Sequence, residues 1–296
     1  MIHEMRKGII SMLLSALFFS IMGVTVKYSG ALPLAQKVLF RNLVMFIVVA
    51  LPLLRRGPAI FMGHRGSRGL LLIRSLFGLT GVALYFYSLG KLNLGDASIL
   101  NKLSPFFVTL FSVLFLKNKL NSYQAPALLV AFGGALLIIK PQWDLSVLPA
   151  LAGVAAAITA GAAYTVISHL KGKEAPETVM LWFSGISTLI TLPFALVLWE
   201  TPELREWAAL IGTGVFAAAG QYFLTMAYQS APPSEISIFN YSHILFSLIM
   251  GFLVFGEVPD LLSLIGAVLI IGVALFLYWK VRRTETISAM SSPQSR

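Results

Sequence analysis

The feature that most constrains this chain of 296 residues is a series of ten long apolar runs, separated by breaks that carry charged residues, Gly or Pro. About 20 residues of helix span a hydrocarbon core about 30 Å thick, and each run is close to that length. Only 11 % of the residues are charged, compared with about 25 % in soluble domains. The sequence therefore predicts an all-α integral membrane protein with ten transmembrane helices. The predicted spans are residues 8–28, 34–54, 70–89, 97–116, 123–140, 148–168, 178–199, 208–228, 234–255 and 260–280.

The breaks also predict the orientation of the spans. Lys and Arg are concentrated in alternate breaks, and Arg65, Arg68 and Arg74 around the start of the third span belong to the richer set. Cytoplasmic loops carry the excess of these residues, so we expect both termini in the cytoplasm and the spans in the inner membrane of a prokaryote. The polar residues 284–296 are expected to form a disordered tail. Because these loops account for the net charge of +10, nucleic-acid binding is not expected.

The two halves of the chain resemble each other. Matching residues recur at a separation of 137 or 138: Tyr85-Phe86 with Tyr222-Phe223, Ser104 with Ser242, and Gly134 with Gly272. Because five is an odd number, a second copy of five spans must enter the membrane from the opposite side. We therefore expect two inverted five-helix repeats, residues 1–140 and 141–283. Many secondary transporters have this architecture, with the substrate site near the midplane between the repeats.

The paired segments resemble the drug/metabolite transporter superfamily, in particular its ten-helix EamA-type permeases. The resemblance is carried by GVALYFYSLGKLNLGDASILNKLSPFFVTLFSVLFLKNKL in the first half and GQYFLTMAYQSAPPSEISIFNYSHILFSLIMGFLVFGEVPDLLSLIGAVLIIGVAL in the second. In that family the fourth and ninth helices often end in Gly-Glu, which Phe255-Gly256-Glu257 keeps and Lys117-Asn118-Lys119 has lost. The resemblance implies secondary transport of small metabolites by alternating access, commonly export, through a cavity between the halves.

Two basic residues lie inside predicted spans of the first half. Arg41, followed by Asn42, is in the second span, and Lys102, preceded by Asn101, is in the fourth. A charged side chain in a membrane is costly unless it is paired or faces water. These four residues are therefore candidates for binding a carboxylate or phosphate of a substrate. The alternatives are a snorkelling side chain, or for Arg41 a structural contact between helices.

The corresponding segment of the second half offers Asn240 and His243, which share one face of a helix. His243 is a candidate proton carrier, because the unperturbed pKa of His is about 6.5. Lys102 and Glu235 are further candidates for proton coupling. A lone intramembrane His is also a common partner in hydrogen bonds between helices. Pro105 predicts a helix break in the fourth span, and no such break is expected in the ninth.

Aromatic and amide side chains complete the candidate substrate site. Tyr85 and Tyr222 hold equivalent places in the third and eighth spans, and Gln221 precedes Tyr222. Tyr164 in the sixth span and Trp182 in the seventh are further stacking candidates. Most aromatic residues of such a chain face lipid or the protein core, so each of these side chains has an ordinary packing alternative.

Several functional classes fit the sequence less well. Four scattered His and no Cys do not predict a metal site, and no phosphate-loop spacing occurs. A membrane-embedded enzyme would need converging acid, base or nucleophilic groups, and none is evident.

The leading hypothesis is a carrier, expected to need no cofactor, that exports an amino-acid-like or carboxylate-bearing metabolite. An uptake carrier for a nucleoside-like or vitamin-like compound remains the runner-up. A passive channel or a scaffold subunit is a third class. Both a monomer and a homodimer are compatible with the sequence.

Overall fold

Nearly every described residue of the protein is helical. The computed structural model describes residues 2–54, 59–116, 124–139, 147–170, 172–230 and 237–291, and these ranges contain no β-strand. The helices are α1 (Ile2–Tyr28), α2 (Leu34–Leu53), α3 (Ala59–Met62), α4 (Arg68–Leu89), α5 (Leu94–Asn101), α6 (Ser104–Leu116), α7 (Gln124–Ile139), α8 (Leu148–Leu170), α9 (Pro176–Val197), α10 (Leu204–Ser230), α11 (Ser242–Phe255) and α12 (Leu261–Ser291). Short 3-10 helices cover Arg65–Ser67 and Ser237–Tyr241.

These helices confirm a multi-pass membrane protein. Six of the helical segments are long and apolar enough to cross a bilayer, and three shorter apolar segments lie in the fifth, ninth and tenth predicted spans. The ends of the helices follow local chemistry. Pro176 is the first residue of α9, where its missing N–H costs nothing. Gly256 ends α11 in the left-handed conformation, with φ of 66°, which favours glycine.

The last helix is longer than the sequence predicted. Helix α12 continues to Ser291, so residues 284–291, which were expected to be disordered, are helical. The polar segment contains neither Gly nor Pro before Pro293. Because the preceding apolar helix supplies the costly nucleus, each added residue needs only the favourable propagation step.

The two halves pack on each other in matching pairs. Helix α1 packs on α10, and its counterpart α8 packs on α4; α2 packs on α10, and α9 packs on α4. Helices α5 and α6 contact α8, while the 3-10 segment and α11 contact α1. Two further contacts, α2 with α9 and α7 with α12, join counterparts directly. Exchanging the first five spans for the second five therefore reproduces these contacts, whereas the contact of α5 with α11 has no counterpart of similar size among the described residues.

The contact between α7 and α12 depends on small residues. A Cβ atom at Gly266 would lie 2.5 Å from the carbonyl oxygen of Gly134, and one at Gly134 would lie 2.9 Å from the carbonyl oxygen of Gly266. Without side chains at these two positions the helix backbones approach closely, which is how membrane helices gain packing energy.

Both polar spans are interrupted. Helix α5 ends at Asn101, Lys102 and Leu103 form a turn, and α6 begins at Ser104 with Pro105 in its first turn. The break expected from Pro105 is therefore present. The ninth span was expected to be continuous, but it changes from a 3-10 helix to an α-helix at Tyr241–Ser242.

A local hydrogen bond accounts for this second interruption. The Ser242 hydroxyl donates to the carbonyl oxygen of Phe239 at 2.6 Å. A serine side chain can compete in this way with the backbone N–H groups of a regular helix, so a break forms without proline.

Candidate functional site

The interruptions of the two polar spans meet inside the protein. The Lys102 ammonium group donates a hydrogen bond to the Asn240 side-chain oxygen at 3.0 Å. The two residues are separated by 138 positions, which is the spacing of the repeat, so they are counterparts in the two halves. Lys102 is buried, and this contact places its positive charge between the halves. We call Lys102, Asn240 and His243 the interface cluster.

His243 lies one helical turn beyond Asn240 and is also buried. Its imidazole ring interacts electrostatically with Lys102 and forms a hydrogen bond with the backbone of Phe19 in α1. Its Nδ1 atom has no hydrogen-bond partner among the described residues. Ser20 donates to the backbone oxygen of His243 at 3.2 Å. The cluster is therefore anchored to α1 and retains one unused polar atom.

Tyr85 connects α4 to the same region. Its hydroxyl lies 3.3 Å from the Ser98 hydroxyl in α5, and the backbone N–H of Lys102 donates to the carbonyl oxygen of Ser98. Tyr85 is buried. Asn101, the last residue of α5, is half-buried beside the break.

Arg41 and Asn42 form a second polar group, in the middle of α2. Arg41 Nη1 donates to Asn42 Oδ1 at 2.6 Å, and Asn42 Nδ2 donates to the carbonyl oxygen of Val38 at 2.9 Å. Arg41 is only 5 % exposed, so it does not snorkel to the membrane surface.

A second buried arginine joins Arg41. Arg74 was counted with the cytoplasmic flanks, yet it is 4 % exposed. Its guanidinium Cζ lies 3.9 Å from the ring centroid of Phe183, and the Cζ of Arg41 lies 4.9 Å from the same centroid. Both guanidinium groups interact electrostatically with Tyr164. We call Arg41, Arg74, Phe183 and Tyr164 the arginine cluster.

Sequence reasoning missed Arg74 because it lies close to the start of its span. The signal was a basic residue inside the apolar run LLLIRSLF, two turns into the helix that begins at Arg68. Phe183 gave no signal, since one Phe among 21 has no distinguishing pattern.

The other predicted site residues lie elsewhere or have structural contacts. Trp182 donates through Nε1 to the carbonyl oxygen of Phe61 at 3.1 Å, which ties α9 to α3. Tyr222 is 56 % exposed, and its ring packs edge-on against Phe223. Gln221 is half-buried in the same helix. Glu235 lies outside the described residues.

An ion pair joins α1 to the end of α11. Lys27 pairs with Glu257 and donates to the carbonyl oxygen of Leu92 at 2.8 Å. The other oxygen of Glu257 accepts from the backbone N–H of Leu94 at 2.6 Å. Glu257 therefore links the ends of α1 and α11 with the start of α5, at the end of the bundle where α1 terminates.

Other features of the described residues carry less chemistry. An apolar groove of about 600 Å³ lies between α7 and α12, but no polar side chain lines it. No group of three His, Asp or Glu side chains within the described ranges could hold a metal ion. The interface and arginine clusters are, within the described residues, the two groups that combine a buried cation with a buried polar atom that has no hydrogen-bond partner.

Comparison with known proteins places these clusters in a recognised fold. A model of the EamA-like transporter family matches the chain twice, over residues 6–140 and residues 147–279. The pseudopaline exporter of Pseudomonas aeruginosa is 33 % identical over 270 residues, which cover 90 % of this chain and 94 % of that protein. The riboflavin transporter of Vibrio cholerae is 28 % identical over 294 residues, covering 96 % and 97 %. A protein of known crystal structure shares the fold with a TM-score of 0.67 at 18 % identity, covering 94 % of this chain and 98 % of the other.

Proposed function

Because the chain belongs to the EamA-like transporter family, we propose that it is a secondary transporter that exports a small carboxylate-bearing metabolite across the inner membrane. Two five-helix halves of opposite orientation would rock about a central site and expose it to each face in turn. Both termini would lie in the cytoplasm, as the distribution of Lys and Arg favours.

The observation that carries this proposal is the hydrogen bond between Lys102 and Asn240. It joins counterpart positions of the two halves, at the two points where the transmembrane helices are interrupted. Interrupted helices in membranes occur where the freed backbone groups are buried in protein or line a water-filled cavity. Among the described residues, the buried Lys102 ammonium group donates to a neutral amide and to no carboxylate, so it is well suited to exchange that amide for a substrate carboxylate.

His243 is the group we assign to proton coupling. It lies next to Lys102 in the interface cluster, and its Nδ1 atom has no partner within the described part of the chain. A proton gained or lost here would change the charge that the substrate meets. Export is favoured by the name of the Pseudomonas relative, which is an exporter.

A second candidate is an uptake carrier for a vitamin-like or nucleoside-like compound. The similarity to the riboflavin transporter of Vibrio cholerae favours it, as do the buried aromatic residues Tyr85 and Phe183. An aromatic ring system could stack there, whereas the buried cations favour the carboxylate.

The test is counterflow in proteoliposomes that contain the purified protein and a labelled metabolite found by a thermal-shift screen. We expect saturable counterflow in the wild type and at least a tenfold loss with Lys102→Ala. Lys91→Ala removes the same charge from an exposed position and serves as the matched control. Normal counterflow by Lys102→Ala, Arg41→Ala and His243→Ala would contradict the site assignment, and flux that does not saturate would indicate a channel.

A further inference from the structure

The arginine cluster brings two like charges onto one aromatic ring. Arg41 comes from α2, Arg74 from α4 and Phe183 from α9, and the guanidinium carbons lie 4.9 Å and 3.9 Å from the ring centroid. A single ring can attract a cation above its face, but it supplies no negative charge. The two cations must therefore be balanced by something else.

No acidic side chain balances them among the described residues. No ion pair is formed by either arginine in that part of the chain, and the hydrogen bond from Arg41 goes to the neutral amide of Asn42. Arg41 Nε, Arg74 Nε and Arg74 Nη1 are buried without a hydrogen-bond partner there. Buried charges in proteins are normally paired, because desolvation without a partner is strongly unfavourable. The cluster thus contains unused donors and an uncompensated charge.

One member of the cluster is partly exposed. Tyr164 interacts electrostatically with both guanidinium groups, yet 43 % of its surface is exposed. The arginines themselves are buried behind it. Tyr164 is therefore the member of the cluster nearest the surface, and its hydroxyl could act as a further donor to a ligand bound by the arginines.

The packing around the ring is specific. A Cβ atom at Gly78 would lie 2.8 Å from Cε2 of Phe183 and 3.1 Å from Nη1 of Arg74. The absence of a side chain at Gly78 lets the ring lie directly against α4, under Arg74. Helices α2, α4, α8 and α9 thus each contribute one part of a preformed site.

From this geometry we propose that the arginine cluster binds a doubly negative oxyanion group of the transported substrate. This inference rests on the transport function proposed above and specifies its substrate class. Guanidinium groups bind carboxylates and phosphates through paired hydrogen bonds. Two buried arginines are balanced by two negative charges. Two carboxylates or one phosphate ester supply these charges, whereas a single carboxylate supplies only one.

The arginine cluster is separate from the interface cluster. Tyr85, which contacts α5 beside Lys102, lies eleven positions after Arg74 on α4, roughly 16 Å along the helix axis. A substrate can therefore bind its dianionic part at the arginines while its other end binds at Lys102. Alternatively, it can bind at the arginines first and at Lys102 later in transport. Loss of one cluster need not abolish binding at the other.

The test measures anion binding without transport. The purified protein is heated at constant ionic strength with succinate, with butyrate, which has the same four carbons and one carboxylate, or with inorganic phosphate. Succinate at ten times its Kd is expected to raise Tm by about 3 °C, and butyrate at the same concentration, which can supply only one negative charge, to raise it by much less. A shift with phosphate as large as that with succinate would support a phosphate-ester substrate. Equal shifts with butyrate and succinate, or no shift with either dianion, would overturn the inference.

Variants distinguish a binding site from a structural contact. We expect Arg41→Gln and Arg74→Gln to reduce the succinate shift to the size of the butyrate shift. We expect Arg74→Gln not to lower the Tm of the ligand-free protein, because an uncompensated charge has gone. Arg65→Gln removes an exposed charge and should keep the full shift. Arg74→Lys keeps the charge but lacks the paired N–H donors of a guanidinium group, so it should raise the Kd for succinate about tenfold. This variant keeps the inference testable if Arg74→Gln does not fold. If Arg74→Gln lowered the Tm of the ligand-free protein but left the succinate shift unchanged, the inference would be overturned.

The outcome is independent of the counterflow experiment. If dianions do not bind but counterflow of a neutral or singly charged metabolite is saturable, only the substrate class is wrong. If succinate raises Tm in wild-type protein while no metabolite shows saturable counterflow, the site stands and the proposed transport function fails.

Discussion

Phe183 is the residue that makes the arginine cluster possible. Its ring faces both guanidinium groups at 3.9 Å and 4.9 Å, and contacts of this kind stabilise a cation by about 0.5–2 kcal/mol. That is much less than the cost of burying a charge away from water. The ring therefore orients Arg41 and Arg74 without neutralising them, which leaves both available to an anion.

The space at Gly78 can be tested by a single methyl group. Gly78→Ala should displace Phe183 or Arg74, because the new Cβ would lie 2.8 Å from the ring. Overpacking of this kind costs about 1–3 kcal/mol, so we expect a lower Tm and a smaller succinate shift. Thermal unfolding measures both.

Gly69→Ala is the matched control for this substitution. Gly69 lies in the same helix, and no atom lies within 4 Å of a Cβ built there. Alanine at that position should stabilise the helix by up to about 1 kcal/mol. Equal effects of the two substitutions on Tm and on the succinate shift would show that the space at Gly78 has no special role.

At the scale of elements, Glu257 holds three helix ends together. Its carboxylate pairs with Lys27 at the end of α1 and accepts from the backbone of Leu94 at the start of α5. Both charged side chains are mostly buried, so the pair is less screened than a surface ion pair. In the first half the counterpart position is Lys119, which cannot accept hydrogen bonds as Glu257 does.

We expect Glu257→Gln to loosen this end of the bundle. The substitution leaves Lys27 without its counter-charge and should cost about 1–2 kcal/mol, since the site is partly solvated. The chain has no native Cys, so a single Asn93→Cys beside Glu257 can be labelled cleanly. Its rate of reaction with a membrane-impermeant maleimide should rise in the Glu257→Gln background.

The control for that experiment is Glu203→Gln. Glu203 also forms an ion pair, with Arg205, but both side chains are about 70 % exposed. We expect this control to leave the labelling rate at position 93 unchanged. A labelling rate that is equally unchanged by Glu257→Gln would contradict the assigned role of the buried ion pair.

At the scale of the whole molecule, the matching packing pattern supports two halves related by an exchange of helices. Helix α1 packs on α10, and the counterpart helices α8 and α4 pack on each other in the same way. The family model also matches each half separately. If each half contains five spans, as the sequence predicts, the second half begins on the side of the membrane opposite to the N-terminus. The inverted arrangement remains a prediction of this reasoning.

Reporter fusions test that topology. Green fluorescent protein fused after Arg296 should fluoresce, because it folds in the cytoplasm, and alkaline phosphatase at the same point should be inactive. A fusion near Pro141, between the halves, should give the reverse pattern, because five spans lie between it and the N-terminus. The same pattern at both points would contradict the inverted repeat.

The sequence by itself determined the class of protein, the family and the positions of nine apolar helical segments. The length and apolarity of a helical segment are local properties. Whether a segment can span the bilayer depends on these two properties of that segment alone. The repeat spacing also paired the segment that contains Lys102 with the segment that contains Asn240, and the structure brings these two residues into contact. Arg41 and Lys102 could be selected because a charge deep in an apolar run is conspicuous.

Only the tertiary structure decided which polar groups meet. A basic residue near the end of a span satisfies the topology rule whether it faces the cytoplasm or the protein interior, so Arg74 was assigned to the flank. The pairing of Arg74 with Arg41 depends on how α4, α2 and α9 pack, and that packing depends on contacts such as the one between Gly78 and Phe183. Such contacts join residues far apart in the chain and leave no periodic signal in the sequence.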